Sequence, residues 1–177
     1  VRSTVFGWNP QVLLEDNENV TMPRMEYDNH EQSIIYRMET GSDGDYFLLE
    51  NRQKYGFDAA IPGAGLMIYH VHPNIERYHT TNTVNATSPQ GFYPVCASYS
   101  EPGSKEYGNI NSSECPFPKS KNVKSFTPET SPAAVAWSGS PANVYISNIS
   151  MNHLDGSISF TTATNIIDDP DDPDDPP

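Results

Sequence analysis

Two hydrophobic runs separated by a Gly/Pro-marked loop lie within Asp45–His72 and constrain the fold more than any other part of the sequence. The runs, Asp45–Gln53 and Gly65–His72, begin with apolar residues on both alternating faces and end with polar ones. Successive side chains of a strand point to opposite faces, so such a run is typical of a strand that is covered on both sides. We therefore predict two central strands whose last residues leave the core.

Shorter extended runs and turn signals accompany this pair. Asp43-Gly44 and Asp155-Gly156 are dipeptides that favour tight hairpin turns. Further strands are predicted at Gln11–Leu14, Val20–Met22, Ser33–Thr40, Phe92–Ser98, Val144–Ile149 and Ser157–Thr162. The predicted fold class is all-β, an antiparallel β-sandwich with long Pro/Gly/Asn-rich loops, of which Pro73–Gly91 is one. We expect residues 1–165 to form a single β-rich domain and residues 166–177 to be a disordered Asp/Pro linker.

Charge and cysteine content restrict the partners and the compartment. The formal net charge is −13, and six of the negative charges are Asp residues of the 166–177 linker. An acidic surface repels phosphates and anionic lipids, so we expect no nucleic-acid partner and no membrane insertion. Cys96 and Cys115 are the two cysteines of the chain. In this loop-rich context they predict a disulfide and an extracellular location, secreted or at the cell surface; two unpaired thiols are the alternative.

Several polar residues are candidate metal ligands. His70 and His72 share one face of a strand, an arrangement that can present two imidazoles to zinc, and His79 or Glu50 is a conceivable further ligand. The alternative is two polar residues at a strand end. Asp43 and Asp45 could bind calcium, although the hairpin turn already accounts for both.

Other chemistry receives less support from the spacing of the residues. Glu50 and Arg52 invite a salt bridge, but no second carboxylate is placed for glycoside hydrolysis. Cys96 is a conceivable nucleophile, which a disulfide would exclude. Exposed aromatic residues could stack on sugars and would favour a glycan-binding module, or they could belong to the core and its rim: Tyr78, Phe92, Tyr93, Tyr99 and Tyr107.

One ordered series of short motifs resembles a known family. It begins with YFLLENRQ at Tyr46–Gln53, continues with Gly56-Phe57-Asp58 and Pro62-Gly63-Ala64-Gly65, and leads into Leu66–His70. Cys115–Pro118 and later short segments follow in the same order. Over roughly Ile34–Thr162 the chain resembles secreted bacterial metalloproteases of the immune inhibitor A family. The motif residues that carry the resemblance are Glu50, Asn51, Arg52, Asp58, Pro62, Gly63, Gly65 and His70.

The resemblance implies a secreted zinc endopeptidase whose zinc ligands and general base lie in an upstream HExxH helix. This chain contains no HExxH, since Ile34 stands where His30-Glu31 would require the second His. No catalytic residue is therefore carried over, and His72 occupies a position where the family often has Asp. The resemblance implies a non-catalytic β-domain that packs against the upstream catalytic domain of the same polypeptide. Zinc is expected in that domain, calcium is possible, and a host protein or a glycan is a further possible partner.

A metal-dependent hydrolase that uses His70 and His72 is the third functional hypothesis. It belongs to a different class from the supporting domain and from the binding module, because it requires a metal bound by this chain itself.

Overall fold

The computed structural model describes residues 11–14, 18–25, 34–41, 44–86, 90–99, 110–118 and 123–163, without the side chains of residues 76 and 79. The predicted linker 166–177 and its boundary at residue 165 lie outside these ranges, as do Asp43 and Tyr107. Eight strands are present in the described part: β1 Gln11–Leu13, β2 Asn19–Met22, β3 Ile35–Glu39, β4 Tyr46–Arg52, β5 Gly65–Val71, β6 Phe92–Val95, β7 Tyr145–Met151 and β8 Ile158–Ala163.

The strands form two sheets, which confirms the all-β sandwich. One sheet has five strands in the order β1-β3-β4-β5-β6, and the other has three in the order β2-β8-β7. As predicted, β4 and β5 are central. The pairing of β1 with β3 is parallel, whereas the other strand pairs of the described part are antiparallel, as predicted. The physical reason is the connection: β2 lies in the other sheet, so the chain leaves the first sheet after β1 and re-enters it in the same direction.

The main core lies between the two sheets. Phe47, Leu49, Leu66 and Ile68 project from the larger sheet, and the smaller sheet contributes Ile146, Ile149, Ile158 and Phe160. Each of these side chains is at least 97% buried. Complete burial of one such side chain is worth about 1.5–3 kcal/mol relative to its exposure, so this layer is the principal source of stability.

A second hydrophobic cluster covers the outer face of the larger sheet. Tyr46, Leu48 and Val71 pack there against Ile75, which belongs to a short helix, α1, at Ile75–Thr80. The sequence predicted an irregular surface loop across Pro73–Gly91, and this is wrong for α1. The signal was weak because Ile75 is the one buried apolar residue among the described side chains of the helix. The cover explains why β4 is apolar on both faces.

Two loops are fixed against the larger sheet at β5. Cys96 and Cys115 form a buried disulfide, as predicted, and the amide of Ala97 donates to the carbonyl of Cys115 at 2.8 Å. Leu66 and Phe117 exchange two backbone hydrogen bonds, of 2.7 and 2.9 Å. These contacts hold the 110–118 segment beside the beginning of β5.

Candidate functional site

The register of β4 and β5 separates the polar residues that the sequence analysis grouped together. Arg52 pairs with Gly65, Glu50 with Met67, and His70 with Phe47. Because the strands are antiparallel, the polar end of β4 lies beside the beginning of β5, and the polar end of β5 lies beside Asp45. The suggestion that Glu50 joins His70 as a metal ligand is therefore wrong. Two separate polar sites exist, one at each end of the strand pair.

The first site is a buried network centred on His70. Its Nε2 lies 2.5 Å from Oδ2 of Asp45, and its Nδ1 lies 2.7 Å from the hydroxyl of Tyr93. Asp45 also accepts hydrogen bonds from the Thr40 hydroxyl and from the backbone N–H of Trp137, both at 2.8 Å. His70 is 2% exposed and Asp45 is fully buried.

The electrostatics of this network favour an ionised Asp45. Burial alone would raise the pKa of its carboxyl, but hydrogen bonds from His70, Thr40 and Trp137 and the attraction of His70 outweigh burial, so the pKa is lowered. Since an ionised carboxylate only accepts, Nε2 of His70 donates to it. In the neutral imidazole Nδ1 then accepts from the Tyr93 hydroxyl. The network fixes the ring and leaves both of its nitrogens engaged.

His72 lies beside this network with partners of its own. Its Nδ1 accepts the backbone N–H of Asn74 at 2.9 Å, and its ring packs edge-on against Trp137 at 4.3 Å between centroids. Burial lowers the pKa of His72 and outweighs the opposing attraction of Asp45. Three of the four ring nitrogens of His70 and His72 thus have protein partners.

The structure supplies no further ligand to this pair among the residues it describes. They contain no group of three His, Cys, Asp or Glu side chains that could hold a metal ion. The side chain of His79 lies outside the described part. Asp45, a calcium candidate, is buried among protein donors, so calcium binding through it is not supported.

The second site is an ionic cluster on the outer face of the sheet. Arg52 contacts Oε1 of Glu50 through Nη1 at 3.1 Å and Oδ1 of Asp58 through Nη2 at 2.6 Å. The hydroxyl of Tyr69 donates to Oε2 of Glu50 at 3.1 Å, and burial followed by the charge of Glu50 raises the pKa of Tyr69. Asp58 belongs to a 3₁₀ turn at Gly56–Asp58, so the cluster ties this turn to β4.

Asn51 lies between Glu50 and Arg52 in sequence, but its side chain is on the face of β4 that packs against the smaller sheet. Its side-chain amide donates to the carbonyls of Met22 at 3.0 Å and Gly156 at 2.9 Å, both of which belong to the smaller sheet or its β7–β8 turn. Gln53 in turn donates to the side-chain carbonyl of Asn51 at 2.8 Å. Asn51 therefore joins the two sheets. Its neighbour Arg52 instead fixes the 3₁₀ turn that contains Asp58.

A cleft of about 170 Å³ opens beside the ionic cluster, and we call it the β5 cleft. Gly63 forms part of its wall, where an added Cβ would lie 2.7 Å from the carbonyl oxygen of Ser113. Gly65, with φ near +146°, makes a similarly close approach to the carbonyl of Phe117. The lining residues are Arg52, Ile61, Pro62, Gly63, Met67, Tyr69, Ile110, Ser112, Cys115 and Pro116.

An aromatic residue projects from the loop that precedes the cleft. Phe57 is 89% exposed although its neighbour Asp58 is buried in the ionic cluster. Tyr55 is 51% exposed, with the Arg24 guanidinium 4.1 Å from its ring centroid. The motif could be identified from the sequence, but the exposure of its aromatic residue could not. The missed signal was an aromatic residue directly before an Asp within a glycine-containing loop.

The predicted sugar-stacking set does not form a common platform in the described part. Tyr93 is 8% exposed and is bound to His70, so its predicted exposure is wrong. Phe92 stacks on Tyr69 with centroids 5.1 Å apart, and Tyr78 packs against His72 at 4.8 Å. Tyr99 is half-buried.

Comparison with known proteins yields no identification: no protein family, no curated protein and no solved structure matches the chain. Within the part of the chain that the structure describes, no helix has the length and apolar character needed to cross a membrane.

Proposed function

We propose that this chain is a non-catalytic β-domain of a secreted zinc metallopeptidase and that it packs against the catalytic module of the same polypeptide. The resemblance of the ENRQ, GFD and PGAG motifs to the immune inhibitor A family supports this assignment. Zinc would be bound by the catalytic module. In this function the chain provides a docking surface and contributes no reacting group.

The single observation that carries the proposal is Phe57. Phe57 is 89% exposed, and aromatic residues are enriched in protein interfaces relative to the rest of the surface, so an exposed aromatic residue on a loop held in place supports a contact site. The Arg52–Asp58 ion pair of 2.6 Å anchors this loop. Loop anchoring reduces the ordering cost of association, because the contact residue is already positioned.

The buried histidine network is consistent with a structural role. A catalytic acid or base must come within hydrogen-bonding reach of the substrate. His70 and Asp45 are almost completely buried and engage each other as well as Tyr93, Thr40 and Trp137. We therefore assign this network to the stability of the domain in the proposed function.

Substitution of Phe57 by Ser tests the docking surface. In the 177-residue chain, the variant should unfold with a free energy within about 0.5 kcal/mol of the wild type, because an exposed side chain contributes little to folding. In the full polypeptide, it should accelerate hydrogen exchange at the domain junction and lower the thermal stability of the peptidase module. Unchanged exchange and stability of the full polypeptide would overturn the docking role.

An activity measurement tests the non-catalytic assignment. The purified 177-residue chain, supplemented with zinc, should not cleave a casein substrate. Peptidase activity that co-purifies with the chain and disappears in a His70→Gln, His72→Gln variant that still folds would instead favour the metal-dependent hydrolase.

A further inference from the structure

The hydroxyl of Tyr93 is hydrogen-bonded to a base. His70 and Tyr93 pair directly in the register of β5 and β6, so both side chains lie on the same face of the sheet. The hydroxyl oxygen is 2.7 Å from Nδ1 of His70, and Tyr93 is 8% exposed. A backbone carbonyl would satisfy a buried phenol equally well. An imidazole differs from a carbonyl because it takes up a proton near neutral pH, so this bond gives the phenolic proton an acceptor.

Oxidation is the reaction of a phenol in which such an acceptor matters. A phenol that loses one electron becomes a strong acid, and its oxidation is therefore much easier when a base already accepts its hydrogen bond. In Tyr93 the proton would move along the existing 2.7 Å contact. The resulting imidazolium would be paired with the carboxylate of Asp45, which lies 2.5 Å from Nε2 of His70. This counter-charge offsets the cost of burying a cation.

Trp137 connects the buried pair to the surface of the domain. Its ring centroid is 6.2 Å from that of Tyr93 and 5.5 Å from that of His70. Trp137 is partly exposed, and its backbone N–H donates to Asp45 at 2.8 Å. Tryptophan and tyrosine are the aromatic side chains that most readily give up one electron, and transfer between rings at this separation is rapid. An oxidant in solution therefore has a route to Tyr93 through Trp137.

We propose that Tyr93 is a redox-active tyrosine that gives up one electron, through Trp137, to a one-electron oxidant such as a metal complex at the surface. The O–H bond of Tyr93 breaks, an N–H bond forms at Nδ1 of His70, and the oxidant gains the electron. The products are a neutral tyrosyl radical and an imidazolium that is paired with Asp45. A one-electron reductant reverses each step. This activity belongs to the chain itself and does not depend on a peptidase module.

Photo-oxidation of the 177-residue chain tests the proposal. The oxidant is ruthenium(III) tris-bipyridine, generated by a light flash with a cobalt(III) ammine as electron acceptor. Electron paramagnetic resonance detects tyrosyl radicals, and transient absorption measures how fast they form. The chain contains 10 Tyr, so the relevant signal is the radical that persists after radicals at exposed tyrosines have decayed. It should be lost in Tyr93→Phe and retained in Tyr145→Phe, which removes a partly exposed tyrosine of β7.

Two variants separate proton acceptance from a structural role. His70→Asn keeps an oxygen that can accept from Tyr93, but an amide is not a base. The radical at Tyr93 should then form at least about a hundredfold more slowly, the lower end of what a positioned base contributes. Asp45→Asn retains an acceptor for His70 but removes the counter-charge, and it should slow formation about tenfold. Formation in the wild type should also be slower in heavy water, an effect that a merely structural hydrogen bond would not produce.

Three outcomes would overturn the assignment. One is a persistent radical that survives Tyr93→Phe, and another is a tryptophan radical with no radical at Tyr93. The third is an equal rate of radical formation in ordinary and heavy water, or in the wild type and an Asp45→Asn variant whose circular dichroism is native. The heavy-water comparison uses the wild-type chain, so it decides the question even if His70→Asn does not fold.

Discussion

Removal of the Asp45 carboxylate should be among the most destabilising single substitutions in the described part of this chain. In Asp45→Ala, Nε2–H of His70 and the N–H of Trp137 lose their acceptor, whereas the Thr40 hydroxyl retains the backbone carbonyl of residue 45 at 3.0 Å. Each unsatisfied buried donor costs about 1–3 kcal/mol, and the lost hydrogen bonds are stronger than neutral ones because their acceptor is a carboxylate. We expect the free energy of unfolding to fall by about 3–5 kcal/mol.

The isosteric variant gives the matched comparison. In Asp45→Asn, the amide oxygen can still accept from His70 and Trp137 if the amide nitrogen faces Thr40, whose hydroxyl can accept as well as donate. Only the charge-assisted part of the interaction is lost, so the expected cost is about 1–2 kcal/mol. Glu39→Gln is the control, because it neutralises an acid that is 46% exposed and paired with Arg37, a change worth about 0–1 kcal/mol.

Urea denaturation followed by circular dichroism measures all three variants. The slope of the free energy with urea should be unchanged, which would show that the variants differ in stability and not in the extent of unfolding. An Asp45→Ala variant within 1 kcal/mol of the wild type, or one no less stable than Asp45→Asn, would refute the description of this network as a buried, charge-assisted one.

Three further predictions follow from the same structure. Burial lowers the pKa of His72 in the folded state, so the unfolded chain takes up a proton first; stability should therefore fall as the pH drops below about 6.5. His72→Gln should reduce this dependence and exposed His153→Gln should not, as measured by urea titrations between pH 5 and 7.5. Asn51→Ala should cost about 2–4 kcal/mol in urea denaturation, since two carbonyls lose their donor; an effect under 1 kcal/mol would contradict its role between the sheets. Replacing Cys96 and Cys115 by Ala should lower stability by about 3 kcal/mol for a loop of 19 residues, and chemical denaturation with equal midpoints would contradict this.

The strands could be predicted because their determinants are local. Alternation and turn signals placed β4, β5, β7 and β8 within a few residues of their observed bounds. The parallel pairing of β1 with β3 could not be predicted in this way, because it depends on which sheet receives the intervening β2. Helix α1 was missed because its single buried apolar residue, Ile75, gives no helical periodicity.

The candidate sites required tertiary information. The sequence indicated that Glu50, Arg52, His70 and His72 were noteworthy, but only the antiparallel register shows that they lie in two sites. The alternation of β5 assigned His70 to the face of Leu66 and Ile68, and only the structure shows that this face packs into the core. The hydrogen-bond partners of His70 are Asp45 and Tyr93, which lie 25 and 23 residues from it in sequence and leave no spacing signal.

The Asn51 and Gly63 contacts illustrate the same limit. Both residues belong to motifs that could be recognised, but recognition did not reveal their physical role. Asn51 reaches the smaller sheet, and Gly63 admits the 110–118 segment, which approaches within 2.7 Å of the position of a Cβ. These roles depend on contacts between distant parts of the chain, so only the folded structure shows them.

The most direct test of the central claim is a photo-cross-link in the full polypeptide. A benzoylphenylalanine placed at Phe57 should, on irradiation, join the chain to a peptide of a module that contains HExxH, as identified by mass spectrometry. The same group at Ser138, an exposed residue near the opposite end of the β4–β5 pair, should not form this product. A polypeptide without an HExxH module, or a cross-link to that module from Ser138 and none from Phe57, would contradict the account.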